Sequence, residues 1–202
     1  MHLKSYSFLA LGDSYTIGES VSPLENFPNQ TVELLSKEGF SFSSPDIIAK
    51  TGWTTDELQS AVNQHHFKRN YDFVTLLIGV NNQYRGLAIG SYRTEFESLL
   101  QQAIQFAGND TGHVAVISIP DWGVTPFAKG RNRFQIAHEI DEYNIATQKI
   151  ALKYHIEYIN ITPWTREANA NLSLLAADGL HPSAKEYRRW AKKISEFFKS
   201  KI

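Results

Sequence analysis

Phe73-Val74-Thr75-Leu76-Leu77-Ile78-Gly79-Val80-Asn81-Asn82 is the stretch on which the fold turns. A continuous run of apolar and β-branched residues stopped by Gly79 predicts a strand buried on both faces. Such strands belong to parallel sheets sheathed in helices, since a sheet wetted on one side would alternate instead. The flanking segments agree. Downstream, Tyr92, Phe96, Leu99, Leu100, Ala103, Ile104 and Ala107 keep helical spacing, and Gly108 closes that helix. His113 to Ile119 reads as a strand stopped by Pro120. Ile136, Ile140, Tyr143, Ile150 and Tyr154 mark a long amphipathic helix, and Ile156 to Ile159 another strand. A last helix carries Tyr187, Trp190, Ala191, Ile194, Phe197 and Phe198 on one face. Upstream, Ser7 to Leu11 is a strand, Phe27 to Glu38 a helix ended by Gly39, and Asp46 to Ala49 a short strand. Thr54 and Glu57 have the spacing of a capping box that opens a helix.

Five strands alternating with five main helices predict right-handed crossovers, a parallel sheet and a three-layer α/β/α sandwich. No repeat, low-complexity tract or linker divides the chain, so residues 1–202 read as one domain. A composition of 42% hydrophobic and 20% charged residues rules out disordered and fibrous classes. The net charge of −1 removes bulk electrostatics as a reason to bind nucleic acid or acidic membranes. Cysteine is absent, which excludes disulfides, thiolate zinc sites and a cysteine nucleophile. The most apolar stretch, Phe73 to Val80, is far short of a membrane span. Phe8 to Leu11 is too brief for a signal-peptide core. A cytoplasmic location is expected, or a secreted one where a leader has been removed.

Ligands of open α/β sheets bind beyond the carboxyl ends of the strands. Four polar clusters fall there: Gly12-Asp13-Ser14, Gly52-Trp53, Gly79-Val80-Asn81-Asn82 and Asp178-Gly179-Leu180-His181. Each alone suits a turn. Together they supply a reaction. A serine hydroxyl needs a base, and the base needs an acceptor that fixes its tautomer. Ser14, His181 and Asp178 can fill those roles, while the Ser14 and Gly52 amides and the Asn81 side chain can face an oxyanion. Pro182 holds His181 extended, and Ser183 with Glu186 has capping-box spacing at the start of the last helix.

In these blocks and their order the chain resembles the SGNH/GDSL hydrolase family over nearly its whole length. Gly12-Asp13-Ser14-Tyr15 matches the block whose serine is the nucleophile. Gly52 falls at the oxyanion-hole glycine, and Asn81 in Gly79-Val80-Asn81-Asn82 at the oxyanion asparagine. Asp178-Gly179-Leu180-His181-Pro182 matches the block in which aspartate orients the histidine base. The resemblance implies a flavodoxin-like sheet of order 2-1-3-4-5. Tyr15 stands where the family name has leucine, and Asn82 where aspartate is common. An amide cannot give a carboxylate's charge-assisted bonds, so the bracing of that loop is the open point.

Tyr15, Trp53, Tyr84, Trp122 and Phe127, with Trp164, lie past strands or in long loops and suggest a walled cleft for a sugar ring or acyl chain. Lys129, Arg131 and Arg133 share the Trp122 loop and read chiefly as solvated. His138-Glu139-Ile140-Asp141-Glu142 lacks the second histidine of a zinc-protease helix, so no metal is expected, nor any other cofactor. The expected function is a serine esterase that cleaves oxygen esters through an acyl-enzyme. Its partner is a small-molecule ester, with short acyl groups favoured and acetylated carbohydrate among the candidates. An acyltransferase or thioesterase would use the same residues, and an idle carbohydrate-binding module would use the aromatic loops.

Overall fold

The computed structural model describes residues 5–67 and 70–202. Along the chain run β1 (Phe8–Asp13), α1 (Ser14–Ile17), α2 (Phe27–Lys37), β2 (Asp46–Lys50), α3 (Thr55–Gln64) and β3 (Phe73–Leu77). They continue as α4 (Val80–Tyr84), α5 (Ile89–Phe106), β4 (Val114–Ile117), α6 (Arg133–Lys153), β5 (Glu157–Ile159), α7 (Thr162–Arg166) and α8 (Ala184–Lys199). The strands form one parallel sheet of order β2-β1-β3-β4-β5. Every residue of β1, β3 and β4 is buried, whereas the edge strands β2 and β5 carry exposed residues at their ends. The continuous apolar run at Phe73 thus sits in the middle of the sheet, where helices cover both faces.

One helical layer pairs α2 with α8, and the other sets α3, α5 and α6 side by side. α8 docks by its apolar stripe: the Phe198 ring lies 5.0 Å from that of Phe8 and 4.1 Å from that of Phe73. Burying one such side chain is worth roughly 1.5–3 kcal/mol, more than an exposed ion pair contributes. The cations of α8 lie toward solvent, with Arg188 on Glu33, Arg189 on Glu167 and Lys199 on Glu38. No helix among the described residues is long and apolar enough to cross a membrane.

Element ends depart from the sequence reading where a local bond competes. β1 runs past Leu11 through Gly12 and Asp13, which pair with Ala49 and Lys50 of β2. His113 belongs to a 3₁₀ turn capped by Asp110, so β4 starts one residue later. The stretch from Asn160 to Leu180 is not irregular throughout, since it holds α7 and two 3₁₀ turns. The Thr54–Glu57 capping box forms, with Glu57 Oε2 accepting from Thr54 N–H at 2.9 Å. The one at Ser183 forms only in part. Ser183 Oγ accepts from Glu186 N–H, but the Glu186 carboxylate turns inward to Trp190 Nε1 at 2.9 Å and Arg189 at 3.0 Å. A buried indole N–H without an acceptor is costly, and that requirement outweighs the cap.

Candidate active site

The turn from β1 into α1 allows only the residues it has. A Cβ at Gly12 would lie 2.1 Å from Thr16 Oγ1 and 2.5 Å from the Leu77 carbonyl oxygen, so glycine is required there. Asp13 caps α1 by accepting from Tyr15 N–H at 3.0 Å. Ser14 is therefore the first residue of α1, at the carboxyl edge of the sheet beside the middle strand. Burial pushes the Asp13 carboxyl up to about 7 against the hydrogen bonds that favour its charge. The same burial pushes the Tyr15 hydroxyl up.

His181 reaches Ser14 from the other end of the chain. His181 Nε2 lies 2.9 Å from Ser14 Oγ, and His181 Nδ1 lies 2.6 Å from Asp178 Oδ2. The three-residue separation works because Asp178 Oδ1 accepts from the Leu180 and His181 amides, each at 3.0 Å, around Gly179 in a left-handed conformation. Burial raises the Asp178 pKa, but bonds from the His181 ring, the Leu180 and His181 amides and Ser20 outweigh it and hold it at about 2. An ionised Asp178 accepts only, so Nδ1 carries the proton and Nε2 is left to accept from the Ser14 hydroxyl. The Tyr15 ring packs against the imidazole at 4.9 Å.

Gly52 turns with φ 84°, and a Cβ there would meet nothing closer than Arg85 Nη2 at 3.8 Å. Backbone conformation, not space, is what selects glycine. Asn81 on α4 donates from Nδ2 to the Trp53 carbonyl at 3.0 Å and to Asp13 Oδ2 at 3.3 Å. Asn82 braces the loop with both ends of its amide. Its Oδ1 accepts from Thr55 N–H at 3.1 Å, and its Nδ2 donates to Thr55 Oγ1 at 2.7 Å. The Thr55 hydroxyl then donates to Glu95. This is how the loop closes without a carboxylate.

Ser14, Gly52, Asn81 and His181 open into a cavity of about 150 Å³. Tyr15, Tyr84, Trp122 and Phe127 line it, as does Leu180. Two of the expected aromatics do not. The indole of Trp53 packs against the core, and this residue offers the site only its carbonyl. Trp164 lies on α7 with the Arg189 guanidinium 5.4 Å over its ring, because α7 packs back toward α8. Arg131 is not merely solvated: it stacks 5.1 Å from the Tyr84 ring and 5.5 Å from Trp122, and donates to Tyr84 Oη at 3.2 Å. Gln83, Arg85 and Ser20 were not anticipated. Gln83 accepts from Trp122 Nε1 at 2.7 Å, Arg85 donates to the Gly52 carbonyl at 2.5 Å, and Ser20 donates to Asp178. The one available signal was that Arg85 follows Asn81 by one helical turn. Among the described residues no group of three or more His, Cys, Asp or Glu side chains could hold a metal ion, and His138 is exposed.

The model of the GDSL-like Lipase/Acylhydrolase family matches residues 10–189. The chain belongs to this family. Solved structures related to this GDSL-like chain include a lipase/acylhydrolase from Enterococcus faecalis, 20% identical with a TM-score of 0.74 over 97% of this chain and 96% of that one. An acetylxylan esterase from Geobacillus stearothermophilus is 17% identical, with a TM-score of 0.74 over 98% and 96%. The psychrotrophic esterase EstA from a Pseudoalteromonas species is 15% identical, with a TM-score of 0.69 over 97% and 98%. Identities this low establish the GDSL fold only. No curated protein sequence matches.

Proposed function

We propose that this GDSL-family hydrolase is a serine esterase that cleaves short-chain oxygen esters through an acyl-enzyme. The observation that carries the reading is the relay from Asp178 through His181 to Ser14, with contacts of 2.6 and 2.9 Å, ending at a cavity with Gly52 and Asn81 on its wall. Ser14 Oγ attacks the ester carbonyl as His181 Nε2 takes its proton, and Asp178 stabilises the imidazolium. The tetrahedral oxygen is met by the Ser14 and Gly52 amides and by Asn81, whose longer hydrogen bond, to Asp13, is the one that yields. His181 returns the proton to the leaving alcohol, and water repeats the sequence on the acyl-enzyme.

The walls support the short-acyl preference. Trp122 is pinned by Gln83 and packs edge-on to Tyr84 at 5.3 Å, which limits the depth available to a chain. Beyond Tyr84 and Trp122 opens a second cavity of about 380 Å³, with Arg131, Gln135 and Glu139 on its wall. Glu139 accepts from Gln83 at 2.7 Å and Gln135 at 2.8 Å, and hydroxyls can both donate to its carboxylate and accept from Arg131. That chemistry suits the polyol part of an acetylated carbohydrate. The test is labelling with a fluorophosphonate, mapping of the adduct, and hydrolysis of acetate esters. The adduct is expected on Ser14, and Ser14→Ala is expected to lose both label and several orders of magnitude in kcat while folding normally. A Ser14→Ala protein that keeps half its activity would overturn the mechanism.

A further inference from the structure

Among the described residues other than glycine, Ser20, Asn109 and His155 are left-handed, with φ of 65°, 65° and 56°. His155 closes α6 in the ordinary left-handed way, and Asn109, which follows the left-handed Gly108 that closes α5, is a residue type that tolerates positive φ. Ser20 has no such reason, because Gly18 already closes α1 with φ 80°. The backbone pays for a Cβ in this conformation, and such strain persists where the surroundings need it. What the conformation delivers is a hydrogen bond. Ser20 Oγ donates at 2.8 Å to Asp178 Oδ2, the oxygen that also faces His181 Nδ1. Its neighbour Glu19 bonds Thr51 Oγ1, directly before Gly52. Glu19 N–H in turn donates to the Ser14 carbonyl at 3.0 Å. This short turn therefore links the nucleophile's helix to the base's loop and to the turn that carries Gly52.

We propose that Ser20 is a positioning residue, held in a left-handed conformation so that its hydroxyl anchors the Asp178 carboxylate against which His181 is oriented. Asp178 Oδ1 is already fixed by amides of its own loop. Ser20 fixes Oδ2 from a different segment, so the imidazole turns on an acceptor anchored at both oxygens. The bond also favours the ionised carboxylate that the tautomer of His181 requires. This inference rests on the esterase reading above for its kinetic consequence, but the contact itself is independent of it.

Three variants separate the bond from the strain. Ser20→Ala loses the donor and keeps the Cβ. Ser20→Gly loses the donor and relieves the conformation. Ser20→Asn keeps an N–H donor on a residue type that tolerates positive φ. Ala and Gly are expected to lower kcat on an acetate ester about tenfold with KM little changed, as for a lost bond to a charged acceptor. Both should move the far-downfield proton resonance of His181 Nδ1. Gly should melt above Ala, so that stability and activity part company, and Asn should keep kcat within about threefold. Wild-type kcat with an unmoved resonance in both Ala and Gly would make Ser20 a turn residue only and overturn the proposal. So would a kcat loss that merely follows the folded fraction. If the wild-type protein cleaves no ester, the esterase reading fails by itself, and the resonance still decides whether Ser20 positions Asp178.

Discussion

Asn81 donates to the Trp53 carbonyl and to Asp13 Oδ2, so its amide is aligned by two different segments before it meets any substrate oxygen. Such alignment favours the oxyanion role proposed for Asn81, because the amide has only to exchange its longer bond, to Asp13, for the developing charge. Asn81→Ala is expected to lower kcat on an acetate ester roughly 10²–10³-fold with a smaller change in KM. Steady-state kinetics with the folded fraction measured in parallel checks it, and a change confined to KM would assign Asn81 to ground-state binding. That the blocks holding Ser14, Gly52, Asn81, Asp178 and His181 meet at one edge of the sheet is legible in the sequence, because each is a short block whose spacing reflects a local turn. Ser20 and Gln83 are not. A serine near a glycine and a glutamine on a short helix carry no periodic or motif signal, and their partners, Asp178 and Trp122, are distant in sequence.

The loop from β3 into α4 and the turn from β2 into α3 form one unit through Asn82 and Thr55. The amide at Asn82 both accepts and donates, and Thr55 can then pass its own proton to Glu95. An aspartate at this position cannot donate, and the single Thr55 proton would have to serve two carboxylates. Asn82→Asp is therefore expected to lower the melting temperature while kcat per folded molecule changes by less than about tenfold. Thermal melts beside active-site titration check it; a larger loss in kcat with an unchanged melt would place Asn82 in the chemistry. The helices themselves were readable, since apolar spacing and glycine stops are local. Their ends were not always so: Glu186 leaves the cap it was spaced for because the buried Trp190 indole needs an acceptor.

Across the whole molecule, two carboxyls near the site pull stability in opposite directions with pH. Asp13, neutral in the fold up to about 7 and ionised in the unfolded chain from near its ordinary value of 3.8, contributes stability in full at low pH. That contribution is lost as pH rises toward 7, where the unfolded chain binds fewer protons than the native one. Asp178, held at about 2, contributes stability that is present above its ordinary value and lost as pH falls toward 2. Asp13→Asn removes the first group from the balance. Its stability relative to wild type is expected to rise between about pH 5 and about pH 8, a window in which Asp178 stays ionised in both states. Urea midpoints at the two pH values measure this. An equal difference at both would show that Asp13 does not titrate in the fold over that range.

The order of strands and helices, the parallel sheet and the blocks at its carboxyl edge follow from the sequence alone, because apolar periodicity and turn chemistry act over a few residues. What tertiary structure decided is which groups meet. It laid the Trp53 indole against the core and sent Trp164 to α8, although both lay at positions that suit a cleft wall. It stacked Arg131 on Tyr84 and Trp122, and it gave Asp178 a second anchor in Ser20. A side chain's position in sequence states which edge it can reach. Which way it faces there depends on competition for buried volume and hydrogen-bond partners among segments far apart in the chain.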